Sequence, residues 1–421
     1  MKEENENSFA ALKTNALQAL RGFLCWMIAG LIIGIAGGII GAVFHSCIDF
    51  VTEFRSSHAW VIYLLPVVGA VIALLYRLTR LTVSANEVLA AVRTRQELPV
   101  ITLPVIFLST VLTQFAGGSA GKEGAAIQMG GAIGYQMGKL FHLDEKDRHV
   151  TVMCGLAAVF AAVFGTPVTA AFFALEVISI GEMYYVALIP CMAAVFAASR
   201  IAALLGIAPL AYEVAFPAPG LSSAGAVILL AMCCAAVSIG FCTGLHRGSR
   251  LAKKIIPHDV LRAVIGGCLL IGMTLLSRGT AYNGAGFNLI TAAMNGDARF
   301  YTFAVKILFT VITISFGFKG GEIVPTMAIG ATLGCAVARL TGTDPAFLAA
   351  IGLISMFCAM VNCPAASILM GVELFGAEGL IWYAAACTVS FALSGNYSLY
   401  SSQKILYSKL RAEYINATAK E

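Results

Sequence analysis

The chain alternates apolar runs with short polar punctuation. The runs are Phe23–Phe44, Trp60–Tyr76, Val100–Phe115, Val150–Leu175, Tyr184–Ala198, Ala224–Leu245, Ala263–Leu276, Phe303–Phe316, Leu348–Met370 and Leu380–Leu393. A helix needs roughly 20 apolar residues to cross a bilayer. Several runs are shorter than that, or are interrupted by Gly and Pro. Uneven lengths predict tilted and re-entrant helices rather than an up-down bundle. The pattern predicts an all-α, polytopic membrane protein. Ahead of the first run, Met1 to Arg21 is too acidic and polar for a cleaved signal peptide. Ala10, Leu12, Ala16, Leu17 and Leu20 would give it the apolar face of a short helix lying on the membrane.

Composition agrees: of 421 residues 59% are hydrophobic and 12% charged, with a mean hydropathy of +0.87. Soluble domains carry about 25% charged residues. The net charge is +5, and its placement carries the information. Arg77, Arg80, Arg93 and Arg95 cluster in one loop; His246, Arg247, Arg250, Lys253, Lys254 and Arg262 form a second cluster; Lys404, Lys409, Arg411 and Lys420 lie in the tail. By the positive-inside rule these segments, and the N-terminus with Lys2, Lys13 and Arg21, face the cytoplasm. The charges report topology rather than nucleic-acid binding. Twelve cysteines lie scattered, mostly within apolar runs, without a C-x-x-C, and read as small hydrophobes. The six histidines do not cluster with cysteines or carboxylates, so neither a metal site nor a cofactor is expected.

One acid departs from this background. Glu123 sits in Gly117-Gly118-Ser119-Ala120-Gly121-Lys122-Glu123-Gly124-Ala125-Ala126, followed by glycines 130, 131, 134 and 138. A carboxylate at membrane depth is costly and marks an ion or proton pathway. Neighbouring glycines let a helix break and turn its amides toward a cavity. Burial disfavours the charged carboxylate, while helix-start amides and Lys122 favour it. A group held between such opposing effects can exchange protons at working pH.

The chain also repeats itself. Gly155, Phe160, Pro167 and Glu176 recur 197 positions later as Gly352, Phe357, Pro364 and Glu373. Gly121-Lys122-Glu123-Gly124-Ala125 is echoed 200 positions on by Gly321-Glu322-Ile323-Val324-Pro325, and Gly134 by Gly334. Two such halves place a substrate site at their interface. Pro325 suits a helix start, where its missing N–H would be unpaired anyway. Free first-turn amides and the positive end of the helix dipole form an anion seat. Two such seats facing each other would hold an anion without a full basic charge, with Lys122 and Lys319 adding long-range attraction. The sequence leaves the relative orientation of the halves open.

These residues resemble a known family. Gly121-Lys122-Glu123-Gly124 resembles the G-[KR]-E-G-P motif of the CLC chloride channel and anion/proton antiporter family, and Gly320-Gly321-Glu322-Ile323-Val324-Pro325 its G-G-x-x-x-P motif. Ser394-Gly395-Asn396-Tyr397-Ser398-Leu399-Tyr400-Ser401 is similar to its last segment, with Tyr400 in the place of an anion-contacting tyrosine. The resemblance spans roughly Ala29 to Leu410. It implies a CLC-type inverted repeat and a homodimer with a separate pathway in each subunit. It implies that Glu123 is the external gating glutamate, whose ionised carboxylate takes the anion's place and which swings away when protonated. Amides near Ile323 and Val324 and the Tyr400 hydroxyl would hold the anion, beside Gly121, Lys122 and Gly124. The stretch after Leu410 is too short for the cytoplasmic regulatory domains of animal members.

There are departures from the family pattern. Its first motif, G-S-G-I-P, is replaced by Thr82-Val83-Ser84-Ala85-Asn86, leaving Ser84 or Asn86 as substitutes for the central serine. Ala125 stands where the family has proline. The internal proton glutamate of chloride/proton exchangers falls on Val177, beside Glu176. Glu322 occupies a motif position that is usually apolar. Gly-Gly-Glu-x-x-Pro resembles the bacterial fluoride/proton antiporter branch, which lacks the same serine and internal glutamate. That branch carries a methionine near the missing serine and a threonine at Val324, and this chain has neither.

The expectation is a transporter, not an enzyme: a multi-pass plasma-membrane antiporter with both termini cytoplasmic, exporting fluoride against protons through Glu123, with Glu322 as a second proton or gating site. A chloride/proton antiporter or passive chloride channel is the alternative. An enzyme or structural subunit would need a nucleophile or metal cluster that the sequence does not show. Glu176 and Glu373 are expected to play a structural or interface role, such as capping a broken helix, although Glu176 could also deliver protons. The division is 1–22, an N-terminal cytoplasmic segment; 23–212 and 213–410, the two repeats; and 411–421, a tail.

Overall fold

A computed structural model of the chain describes residues 2–81, 83–94 and 96–420, with backbone alone for 2–14. Met1, Thr82, Arg95 and Glu421, and the side chains of Ala10 and Leu12, lie outside the described residues. The first series of helices comprises α1 (Lys2–Ser57), α2 (Leu65–Thr79), α3 (Ala85–Ala91), α4 (Thr102–Ala116), α5 (Glu123–Leu140), α6 (Glu145–Phe164), α7 (Pro167–Glu176) and α8 (Leu188–Leu204). An irregular segment, residues 205–220, leads to the second: α9 (Leu221–Ile255), α10 (Asp259–Leu276), α11 (Phe287–Met294), α12 (Thr302–Ser315), α13 (Ile323–Thr341), α14 (Pro345–Val361), α15 (Pro364–Phe375) and α16 (Leu380–Leu393). Among the described residues seven helices are long and apolar enough to span a membrane. Other apolar helices are shorter, 10–17 residues.

Two apolar runs, Val150–Leu175 and Leu348–Met370, each divide in two. α6 ends where Gly165 turns left-handed (φ 74°), α14 where Asn362 does so (φ 57°). Pro167 and Pro364 then open α7 and α15, since proline lacks the N–H a continuing helix would need. α1 instead runs unbroken from the polar N-terminus into the first apolar run and beyond it.

The duplication is a physical two-fold. Asp144 accepts from Asp147 N at 2.8 Å to cap α6, and Asp344 accepts from Phe347 N at 2.8 Å to cap α14. α5 packs on α6 through Gly134, where a Cβ would strike the Thr151 carbonyl, and α13 on α14 through Gly334, where it would strike that of Leu348. Small residues let membrane helices approach this closely. Other contacts are reciprocal between the halves. Ser119 N donates to Thr313 Oγ1 at 3.0 Å, and Lys319 N to Thr113 Oγ1 at 3.2 Å. The core is centred on α5, α6, α13 and α14, whereas α1, α2, α8, α9 and α10 leave rows of Leu, Ile, Val and Phe exposed for lipid.

The tail departs from the purely helical expectation. β1 (Ser179–Ile180) pairs in parallel with β2 (Lys404–Tyr407), which pairs antiparallel with β3 (Tyr414–Thr418). Lys420 N also bonds Asn396 O at 2.7 Å, fixing the tail against the Tyr400 segment. Strands this short leave little periodicity to read.

Candidate functional site: a carboxylate at the meeting of two helix starts

The two glycine loops meet in an antiparallel bridge, Gly121 N to Gly321 O at 2.5 Å and Gly321 N to Gly121 O at 2.7 Å. α5 and α13 start just beyond it, so two sets of unpaired first-turn amides face the same region. Pro325 is the third residue of α13, within that first turn. Gly124 packs on Gly321, and a Cβ there would lie 2.9 Å from Gly321 Cα. Gly121 and Gly124 therefore shape the seat by allowing close approach.

Glu123 is fully buried at this junction. Its Oε2 accepts from Val324 N at 3.4 Å, across the bridge, while Oε1 has no protein partner. The carboxylate thus lies at the start of α13. Ile323 and Val324 are buried beside it. Tyr400 is buried, and its hydroxyl also lacks a protein partner. A buried donor without an acceptor is costly, and an anion would satisfy it.

Two cavities approach this point and share no lining residue. One of about 350 Å³ reaches Glu123 and Lys122 past His45 and Asp49. The other, of about 180 Å³, brings Glu322, Tyr400, Ser84, Asn86 and Lys319 together. Among the described residues no ion pair joins Glu322 to Lys319; the Lys319 ammonium lies 4.3 Å from the centre of the Tyr76 ring. Asn86 Oδ1 accepts from Ser402 N at 3.2 Å, and Ser84 opens α3, where its N–H is taken by the Glu87 carboxylate. Arg93 bonds Ser402 O, and His246 Nε2, on α9, lies 3.1 Å from Ser398 O, so a residue of each basic cluster touches the Tyr400 segment.

Glu176 lies away from the seat. Its oxygens accept from Ala365 N at 3.2 Å and Ala366 N at 3.0 Å, at the start of α15. Glu373 reciprocates at α7, accepting from Val168 N and Thr169 N at 2.9 Å and Thr169 Oγ1 at 2.5 Å. Each carboxylate caps a broken helix of the other half. Val177 is buried, and its carbonyl accepts from Gln403 Nε2 at 2.9 Å.

Other residues at the site escaped the sequence reading. Gln403 fixes the Tyr400 segment, bonding Val361 O at 2.9 Å and accepting from Ser398 Oγ at 2.8 Å. Lys306 is fully buried and donates to Ser119 Oγ at 2.9 Å, Gly284 O at 2.7 Å and Tyr282 O at 3.2 Å, bracing the first glycine loop. It is the single cation of the run Phe303–Phe316, which was the available signal. The expectation that no histidine meets a carboxylate is corrected: His45 Nε2 lies 2.9 Å from Asp49 Oδ2. Their spacing of four residues on one helix was the overlooked sign. Lys122 turns toward this pair, with Nζ 2.8 Å from His45 Nδ1 and 3.5 Å from Asp49 Oδ1.

Broken helices related by a two-fold, with helix starts and an acid at their junction, define an ion-transport protein. Residues 76–395 match the family model described as voltage gated chloride channel, and the chain belongs to that family. It is 35% identical over 395 residues to a "Chloride/fluoride channel protein" of Pseudomonas syringae pv. tomato, covering 91% of this chain and 87% of the relative. A solved CLC-type fluoride/proton antiporter superposes with a TM-score of 0.86 at 31% identity, covering 91% of this chain and 98% of that one. A slow cyanobacterial Cl⁻/H⁺ antiporter shares the fold, with a TM-score of 0.76 at 22% identity over 88% of this chain and 94% of that one.

Proposed function

We propose that this protein is an anion/proton antiporter of the plasma membrane, a homodimer with cytoplasmic termini, that exports fluoride in exchange for entering protons. The observation that carries the reading is the Glu123 carboxylate on Val324 N–H, an acid of one half seated on the helix start of the other. Ionised Glu123 and an anion compete for the same amides. Protonation removes the charge that holds the carboxylate there, and the seat passes to the anion. Because the two cannot occupy it together, movement of the proton and of the anion become coupled. Tyr400, with its unpartnered hydroxyl, supplies a further donor. Glu322 lines the second cavity and gives the proton a carboxylate on that side, in a chain where Val177 stands at the position of the exchangers' internal glutamate.

Fluoride is small, strongly hydrated and a strong hydrogen-bond acceptor. A seat of backbone amides, a tyrosine hydroxyl and a movable carboxylate favours it by geometry. The Pseudomonas relative, named for chloride and fluoride, and the solved fluoride/proton antiporter point to the same ion. The test is efflux of fluoride and of chloride from proteoliposomes, with a pH electrode in the bath. Fluoride efflux faster than chloride, accompanied by proton uptake, is expected. Chloride efflux equal to or above fluoride overturns the choice of ion, and anion flux indifferent to a pH gradient overturns antiport in favour of a channel.

A further inference from the structure

The cavity that reaches Glu123 contains a titratable cluster to which the exchange mechanism above gives no role. His45 Nδ1 has two neighbours: Lys122 Nζ at 2.8 Å and Val163 O at 3.0 Å. The Val163 carbonyl lies in the last turn of α6, and the residue four positions on is Pro167, which has no N–H to give it. Nδ1 cannot serve both neighbours in one protonation state. Without a proton it accepts from the Lys122 ammonium; with one it donates to Val163 O. Nε2–H donates to Asp49 in either state. The imidazole therefore has a prepared set of partners on each side of a one-proton change.

The placement of these groups points the same way. The Asp49 side chain is 60% exposed and that of His45 20%, whereas Glu123 is fully buried with Oε1 unpartnered. All three line the same cavity of about 350 Å³, well above the roughly 10–15 Å³ needed to admit one water. The remaining wall, Val163, Phe164, Ala208, Pro209, Leu210 and Phe287, carries no charge. The charged groups facing His45 are thus Asp49 from its own helix and Lys122 and Glu123 from the glycine loop. Arg55 lines the adjoining cavity with Asp49 and Lys122, and Glu322 lines the cavity on the far side.

We propose that His45, held by Asp49, is the proton-transfer residue of this entrance, passing protons between solution and Glu123. A hydronium ion protonates Nδ1, leaving water, and the new N–H turns its bond from Lys122 to Val163 O. The imidazolium then releases that proton through cavity water to Glu123 Oε1, which gives a neutral carboxylic acid and restores the neutral ring. Imidazole suits this task because it alone among unperturbed side chains changes charge between about pH 5 and 8.

The inference rests on the antiporter reading, and its test separates the two. Full-length protein and His45→Gln are reconstituted, and proton uptake and fluoride efflux are followed while bath pH is varied from about 5 to 8. His45→Gln is expected to slow both fluxes about a hundredfold, within the range of a positioned proton-transfer group. The anion-to-proton ratio stays the same and the bath-pH dependence flattens. Imidazole added to the bath, as a diffusible proton carrier, restores the rate. Asp49→Asn, which keeps the shape of the pair, shows the same flattening with a smaller loss and serves if His45→Gln does not fold. An unchanged rate and pH profile overturns the inference, as does a loss that imidazole leaves unrepaired. A parent protein that moves anions without protons removes the antiporter reading, and this one with it.

Discussion

At equivalent positions of the two glycine loops stand Glu123 and Ile323, Lys122 and Glu322, Ser119 and Lys319. The backbones around them are nearly interchangeable. Each loop bonds the other at Gly121 and Gly321, and each is received by a threonine of the other half, Thr313 or Thr113. Glu176 and Glu373 exchange helix caps in the same reciprocal way. The glycine bridge, the receiving threonines and the glutamate caps obey the two-fold, while Glu123, Glu322 and the buried Lys306 break it. One half supplies the acid, Glu123, and the other the Val324 amide that it meets. A fully symmetric junction would offer the same acid to both cavities. The asymmetry gives Glu123 to one and Glu322 to the other.

The comparison breaks most sharply at Glu123. Glu123→Gln, neutral at every pH, is expected to reduce proton uptake by proteoliposomes to the background of empty vesicles. Proton pumping that survived would remove Glu123 as carrier and make the two loops functionally alike. The next largest effect concerns the shared framework. Glu373→Ala and Glu176→Ala each leave two helix-start amides unsatisfied, at about 2–6 kcal/mol per site, from roughly 1–3 kcal/mol per buried group. Thermal unfolding in detergent should show comparable losses, slightly larger for Glu373, which also holds the Thr169 hydroxyl. A large loss in one half alone would mean that the framework, too, is asymmetric. The smallest effect is at Tyr400. Tyr400→Phe removes one hydroxyl donor, about 1 kcal/mol, and should lower fluoride flux about fivefold with the proton ratio intact. An altered ratio would place Tyr400 on the proton path instead.

How legible each part was depended on whether its cause is local. Glycines that admit close helix contact, prolines that open helices and aspartates that cap them act within a few residues, so their repetition 197 or 200 positions apart was plain in the sequence. Glu123 stood out because a carboxylate in an apolar chain is costly wherever it folds. The pairing of His45 with Asp49 is local as well, four residues apart on one helix, but a single pair lacks the third ligand that marks a metal site. Lys306 and Gln403 looked like isolated polar residues, since their partners lie across the fold.

By itself, then, the sequence determined that the chain dwells in a membrane, that it is doubled, and which acid is exceptional. These follow from hydrophobicity, from backbone sterics and from the expense of burying charge. Only the tertiary structure decided what that acid touches. The Val324 amide, the orphan hydroxyl of Tyr400 and the choice facing His45 Nδ1 depend on distances of a few ångströms between residues as many as 201 positions apart. Hydrogen bonds act only at such range, and only packing sets it.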